Sequence, residues 1–145
     1  MLNSIYKKIY QKIKKYDTIV VARHVGPDPD AVTTQIALRD SIKATFPNKN
    51  VYAVGQSVSR FKTYGALDKI NEDELGEALL IVVDVPNIYR IDGATFSKYK
   101  EVIKIDHHPF EDKMGELEIV DTTSCSAAQL VTELIFNTKL KLTTS

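Results

Sequence analysis

Three short groups of residues combine imidazoles with carboxylates, and each follows an apolar run. Asp106-His107-His108 comes straight after Val102-Ile103-Lys104-Ile105. His24-Val25-Gly26-Pro27-Asp28-Pro29-Asp30-Ala31 follows Thr18-Ile19-Val20-Val21-Ala22, and Asp84 ends the run Ala78-Leu79-Leu80-Ile81-Val82-Val83. Imidazole nitrogen with several carboxylate oxygens suits Mn²⁺ or a similar divalent ion better than a thiolate-preferring one, so the single Cys125 is not needed. Two such cations about 3.5–4 Å apart clamp the oxygens of a phosphate and lower the pKa of a shared water. Asp28 and Asp30 are two positions apart; in an extended loop their side chains diverge and serve different ions, with Asp84 between them. Without metal, carboxylates so close repel one another and take up protons. Taken singly, each group has an ordinary reading: His24 as a satisfied polar residue, Pro27-Asp28-Pro29-Asp30 as a loop with an Asx-type turn, Asp84 as the end of a strand. Their joint occurrence after three strand-like runs favours a metal site.

The elements that must position these groups alternate. Leu2, Ile5, Ile9, Ile13 and Tyr16 recur at helical spacing with Lys7, Lys8, Lys12, Lys14 and Lys15 mostly between them, which predicts an amphipathic helix with a solvated lysine face. Strands are expected at about 18–23, 50–54, 78–84 and 101–105, with a brief one at 119–120. Helices are expected at about 30–45, ended by Pro47-Asn48, and at 124–137, with Thr123 or Ser124 as N-cap. Residues 57–77 read as short helices and turns, the segment with Ile88, Ile91, Phe96 and Tyr99 as a polar crossover, and 109–117 as a loop. The third strand is continuously apolar, as in a parallel sheet covered on both sides. The pattern predicts an α/β fold: an open, mainly parallel sheet with helices on both faces and Rossmann-like layering, in which ligands collect at the carboxyl ends of the strands. All three groups fall at such ends.

Composition narrows the partners. A chain of 145 residues, 43% hydrophobic and 26% charged, buries a sizeable core as one unit. Nineteen basic residues balance nineteen acidic ones, which argues against holding long duplex nucleic acid on a broad basic surface and leaves a short anionic ligand open. One cysteine excludes an internal disulfide, and no apolar stretch reaches the roughly 18 residues of a membrane helix. The N-terminus lacks the apolar core of a secretory signal, so the expected location is the cytoplasm, with no membrane partner. A homodimer is a possible assembly.

These residues carry a resemblance to the DHH phosphoesterase family. The matched elements are His24-x-x-x-Asp28-x-Asp30-Ala31, the isolated Asp84, and Asp106-His107-His108-Pro109. Within it the chain is most similar to the bacterial nano-RNase (oligoribonuclease) and pAp-phosphatase branch, through Arg23-His24-Val25-Gly26-Pro27-Asp28-Pro29-Asp30-Ala31, Ala53-Val54-Gly55, Lys104 to Pro109, and Val120-Asp121-Thr122-Thr123-Ser124. The resemblance implies a hydrolase with two Mn²⁺ ions that cuts very short RNA oligonucleotides to mononucleotides and removes the 3′-phosphate of adenosine 3′,5′-bisphosphate (pAp). It implies His24, Asp28 and Asp84 on one ion and Asp30, Asp84 and His107 on the other, with Asp84 bridging. Asp106 would orient His107 or a metal-bound water, His108 would meet the substrate phosphate as a hydrogen-bond or proton donor, and Arg23 is a further phosphate contact.

The departures set expectations too. The family carries another metal-binding Asp after one more helix, then a C-terminal substrate-binding domain, and this sequence stops at Leu142-Thr143-Thr144-Ser145. Residues 1–145 are therefore expected to be the N-terminal part of a DHH phosphoesterase domain, a truncated fragment of a longer enzyme. Asp121 is read as a capping residue rather than a substitute ligand. Pro29 stands where a glycine is common and stiffens the loop. Rival readings are a manganese pyrophosphatase or cyclic-dinucleotide phosphodiesterase with the same ligand set, or a non-catalytic nucleotide-binding module.

Overall fold

The computed structural model describes residues 2–26, 29–56, 67–123 and 126–143, with backbone only for Leu2, Asn3, Pro29 and Asp30. Helix α1 spans Leu2–Lys15, strand β1 Thr18–His24, α2 Pro29–Thr45, β2 Asn50–Ala53, β3 Leu79–Val83, β4 Ile91–Asp92, β5 Glu101–Asp106, β6 Leu117–Val120 and α3 Ala127–Phe136. Five strands form a parallel sheet in the order β2-β1-β3-β5-β6, and the two-residue β4 pairs antiparallel with the last residues of β1, Arg23 and His24. The expected mainly parallel α/β sheet is what forms; among the described residues its α-helices pack on one face, and short 3-10 turns take the place of helices on the other.

Every residue of β1 and β3 is buried, because successive side chains enter opposite faces and both faces are covered. The coverings are unequal. Ile19, Val21, Leu79, Ile81, Val83, Ile103 and Ile105 meet all three α-helices, through Tyr6, Ile9 and Ile13 of α1, Leu38 and Ile42 of α2, and Leu130, Val131 and Leu134 of α3. Val20, Ala22, Leu80, Val82 and Val102 meet instead Met114 and a layer of short 3-10 turns, with Leu75, Ile88 and Phe96 packed on them. Lysines of α1 face outward as the spacing predicts, and Tyr6 Oη donates to Glu133 Oε2 at 2.7 Å, joining α1 to α3.

Three boundaries differ from expectation for local reasons. Helix α3 begins at Ala127 and its N-cap is Ser126, whose Oγ accepts from Gln129 N at 3.3 Å. Thr123 is not the cap, since its N–H and hydroxyl both donate to Asp121 Oδ1 in a turn of their own; Ser124 lies outside the described residues. Strand β6 starts two residues before the expected 119–120, paired with Ile103 and Lys104 of β5. Of the expected short helices in 57–77, Glu72–Glu74 forms a 3-10 turn, and 57–66 lie outside the described residues.

Candidate metal centre

Strands β1, β3 and β5 are neighbours in the middle of the sheet, so their carboxyl ends bring His24, Asp84 and Asp106-His107-His108 to one edge. Asp84 follows β3 with φ 61°, and it alone among the described non-glycine residues has positive φ. Asp tolerates this left-handed region better than most residues, and a strained backbone at a cluster of polar side chains is characteristic of functional sites. Its N–H donates to Ile105 O at 2.9 Å, which extends the β3–β5 ladder and holds the turn against β5.

Asp84 is the hub. Its Oδ1 is 2.9 Å from His107 Nε2 and 3.7 Å from His108 Nδ1, and its Oδ2 is 3.5 Å from His24 Nε2. Burial alone would raise the Asp84 pKa, but the His24 contact and the nearby imidazoles of His107, His24 and His108 together hold it below the usual carboxylate range. Asp84 in turn raises the His24 pKa, against the opposing effect of burial and with help from the Val25 carbonyl. The tautomer of His24 is set by its neighbours. Nδ1 lies 2.7 Å from Val25 O, which can only accept, so Nδ1 carries the hydrogen and the lone pair of Nε2 faces the Asp84 carboxylate. Two lone-pair atoms facing each other require a proton or a cation between them.

Asp106 is wholly buried at the end of β5. Its Oδ1 is 2.7 Å from His108 Nδ1, and its Oδ2 has no hydrogen-bond partner among the described residues. The expected partner, His107, turns to Asp84 instead, because successive residues leaving the strand point to different sides. The His107 and His108 rings lie 4.3 Å apart between centroids.

The first motif is only partly visible. Asp28 lies outside the described residues, as does the side chain of Asp30. Pro29 and Asp30 open α2, close to the helix start expected at about 30. Proline suits the first helical position, and a carboxylate in the first turn suits the helix dipole. Arg23, expected as a phosphate contact, is already engaged within the protein. It is 0% exposed, with NH1 2.5 Å from Asp92 Oδ2 and NH2 2.6 Å from Gln56 O, so from there its guanidinium meets protein and not ligand. Asp121 Oδ1 accepts from both the N–H and the hydroxyl of Thr123.

Sequence reading missed Asp92 and Lys104. Asp92 lies in a crossover whose two-residue strand has no periodicity to read. Lys104 was the polar break in an apolar strand, and it proves to be fully buried, with Nζ donating to Pro86 O at 3.1 Å and Asp112 O at 2.8 Å.

The donor set fits a divalent cation. Asp84, His107 and His108 each offer a ligand atom within 4.8 Å of the others, and the facing pair at His24 and the unpartnered Asp106 oxygen leave carboxylate capacity unused.

Comparisons with known proteins agree with the geometry. The profile of the DHH family, N-terminal domain, matches residues 18–144. A probable bifunctional oligoribonuclease and PAP phosphatase NrnA of Streptococcus mutans is 40% identical over 137 residues, covering 94% of this chain and 44% of that protein. The bifunctional oligoribonuclease and PAP phosphatase NrnA of Bacillus subtilis is 38% identical, covering 91% and 42%. The chain thus spans less than half the length of these curated relatives. Among solved structures, an exopolyphosphatase-related protein from Bacteroides fragilis superposes with TM-score 0.72 at 18% identity, covering 92% of this chain and 43% of that one. Exonuclease RecJ bound to manganese gives TM-score 0.54 at 15% identity, covering 94% and 36%. Both share the fold.

Proposed function

The chain belongs to the DHH family, as its N-terminal domain, and from that premise we propose that its strand-end cluster belongs to a metal-dependent phosphoesterase acting on short oligoribonucleotides and on pAp. The observation that carries this reading is Asp84, a buried carboxylate surrounded by three imidazoles, with His107 Nε2 at 2.9 Å, His24 Nε2 at 3.5 Å and His108 Nδ1 at 3.7 Å. Because the chain spans less than half of its NrnA relatives, the activity is proposed for a protein that carries this domain, not for residues 1–145 by themselves.

His24, Asp28, Asp30, Asp84 and His107 would hold two Mn²⁺ ions, with Asp84 shared. Bound there, the cations neutralise charge on the phosphate oxygens and lower the pKa of a water. The chain's own groups do the rest. Asp106 fixes the His108 ring through Nδ1, which leaves Nε2 for the substrate. As an imidazolium, His108 would give a proton to the leaving ribose oxygen as that P–O bond breaks and the water oxygen bonds to phosphorus; the proton the water releases passes to solvent, from which the neutral His108 regains its own. Asp106 stabilises that imidazolium from behind. Arg23 acts at a distance, pinning the end of β1 and so the position of His24. Charge balance favours small substrates: nineteen acidic residues offset the nineteen basic ones, so there is no net positive charge to hold a long duplex. We place the protein in the cytoplasm, where such nucleotides occur; among the described residues no helix is long and apolar enough to cross a membrane.

The test is hydrolysis of pAp and of a 5′-phosphorylated dinucleotide with Mn²⁺, by this chain and by a version extended through the remaining length of its relatives. The extended protein is expected to turn over both, and Asp84→Ala to abolish turnover and metal binding together. Turnover that survives Asp84→Ala would overturn the reading.

A further inference from the structure

We propose that the exposed ring of Phe110 is a stacking platform for the nucleobase of the nucleotide whose phosphate meets the Asp84, His107 and His108 cluster. The proposal rests on the phosphoesterase reading of that cluster and adds to it the part of the substrate that is not phosphate.

Among the described residues the large apolar side chains left exposed are Val25, Tyr89, Phe110, Phe136 and Leu142. The first three lie on the segments that come after β1, β3 and β5, at the edge that carries the cluster. Exposed apolar groups gathered at one rim of a polar site mark a ligand surface better than the same residues scattered.

Phe110 is distinguished by what lies beneath it. The ammonium of Lys104 is 5.0 Å from its ring centroid, and that lysine is 0% exposed, held by the carbonyls of Pro86 and Asp112. A cation in that place attracts the ring face and fixes it, while the ring as a whole stays 57% exposed. The loop itself is tied down: Asp112 N donates to Pro86 O at 3.2 Å and Ile88 N to Asp112 Oδ2 at 2.9 Å. The result is an aromatic surface ordered in advance of its ligand, which lowers the entropy lost on binding. The spacing also fits. Phe110 is two residues beyond His108, a reach of at most about 7 Å, comparable with the distance from a nucleotide's phosphate across its sugar to its base. Stacking tolerates any base, because every base has a π-face, and this suits an enzyme for short RNA of mixed sequence. Tyr89, 94% exposed, lies on the segment tied to this loop through Ile88.

The experiment compares two probes in Mn²⁺ buffer by calorimetry: adenosine 5′-monophosphate, and ribose 5-phosphate, which lacks only the base. The full chain is expected to bind the first more tightly by roughly fivefold to a hundredfold. Phe110→Ala should erase that ratio and leave the ribose 5-phosphate affinity unchanged, and Phe110→Trp should restore it. Equal binding of the two probes by the unmodified chain, or a ratio that survives Phe110→Ala, overturns the stacking proposal. Failure of the phosphoesterase reading looks different, since it shows as absent hydrolysis in the extended protein whatever the base ratio. Hydrolysis that ignores the base leaves that reading standing and removes this one. If neither probe binds, the platform is refuted for this chain, and a Phe110→Ala effect confined to the extended protein would assign the ring to a contact with the added residues.

Discussion

His108 Nδ1 lies 2.7 Å from Asp106 Oδ1, and among the described residues the second oxygen of that fully buried carboxylate has no hydrogen-bond partner. The pair sets the ring's orientation and leaves the other nitrogen of His108 for a ligand. Asp106→Asn keeps the shape but removes the charge that stabilises an imidazolium. Turnover of pAp in the extended enzyme is expected to fall about 10–100-fold, with Mn²⁺ content by elemental analysis unchanged. Loss of metal on this substitution would make Asp106 a ligand and not an orienting residue.

Metal uptake should release protons. In the metal-free protein the His24 pKa is raised by Asp84, so their ion pair stabilises the fold fully below the ordinary imidazole value of about 6.5 and is lost as pH climbs through the raised one. A cation needs the neutral ring and the carboxylate, so its affinity must run the other way and strengthen as pH rises through that range. Calorimetric titration of Mn²⁺ in buffers of different ionisation enthalpy reads the proton count directly. Uptake without proton release would show that the cation avoids His24 and Asp84.

The sheet and its site edge were legible because burial on both faces leaves no choice of residue type: Leu79-Leu80-Ile81-Val82-Val83 can be little else than a central parallel strand, and Asp84, next in the chain, must sit at the ligand edge. Three such runs therefore placed His24, Asp84 and Asp106-His107-His108 together without any contact being known. Pairings within the edge were not legible, because they depend on which way each side chain leaves its strand. That is why His108, and not His107, holds Asp106. The partners of Arg23 were not legible for a related reason. A charged residue beside a metal-type histidine suggests a ligand contact, and only the antiparallel pairing of β4 with Arg23 reveals that Asp92 takes its charge.

The polar plug around Arg23 predicts where the edge is fragile. Gly55 has φ +128°, and a Cβ there would collide with the Arg23 guanidinium, so Gly55→Ala adds backbone strain to a steric clash. The expected loss is about 2–4 kcal/mol. Asp92→Ala leaves the buried guanidinium without its carboxylate and should cost about 3 kcal/mol, whereas Arg23→Met, which removes the charge and fills the space, should cost less. Urea denaturation of the three variants gives the order, and an Asp92→Ala variant as stable as the parent would mean the ion pair contributes nothing.

Acid stability should depend on a carboxylate far from the site. Glu101, at the start of β5, meets Lys12 Nζ at 3.0 Å and Lys15 Nζ at 3.8 Å, and accepts a hydrogen bond from Tyr16 Oη at 2.9 Å. Burial works to raise its pKa, but Lys12, Tyr16 and Lys15 outweigh that and hold it below the usual range, while burial and the same contact push the Tyr16 hydroxyl up to about 12. A depressed carboxylate contributes stability that is present above its unfolded pKa of about 4.3 and is lost as pH falls through the lower folded value. Glu101→Gln should therefore cost about 1 kcal/mol at pH 7, in keeping with a half-exposed ion pair, and almost nothing near pH 2. Urea midpoints across that range measure the difference. A penalty that does not shrink with acid would assign the effect to packing of α1 on β5 and not to charge.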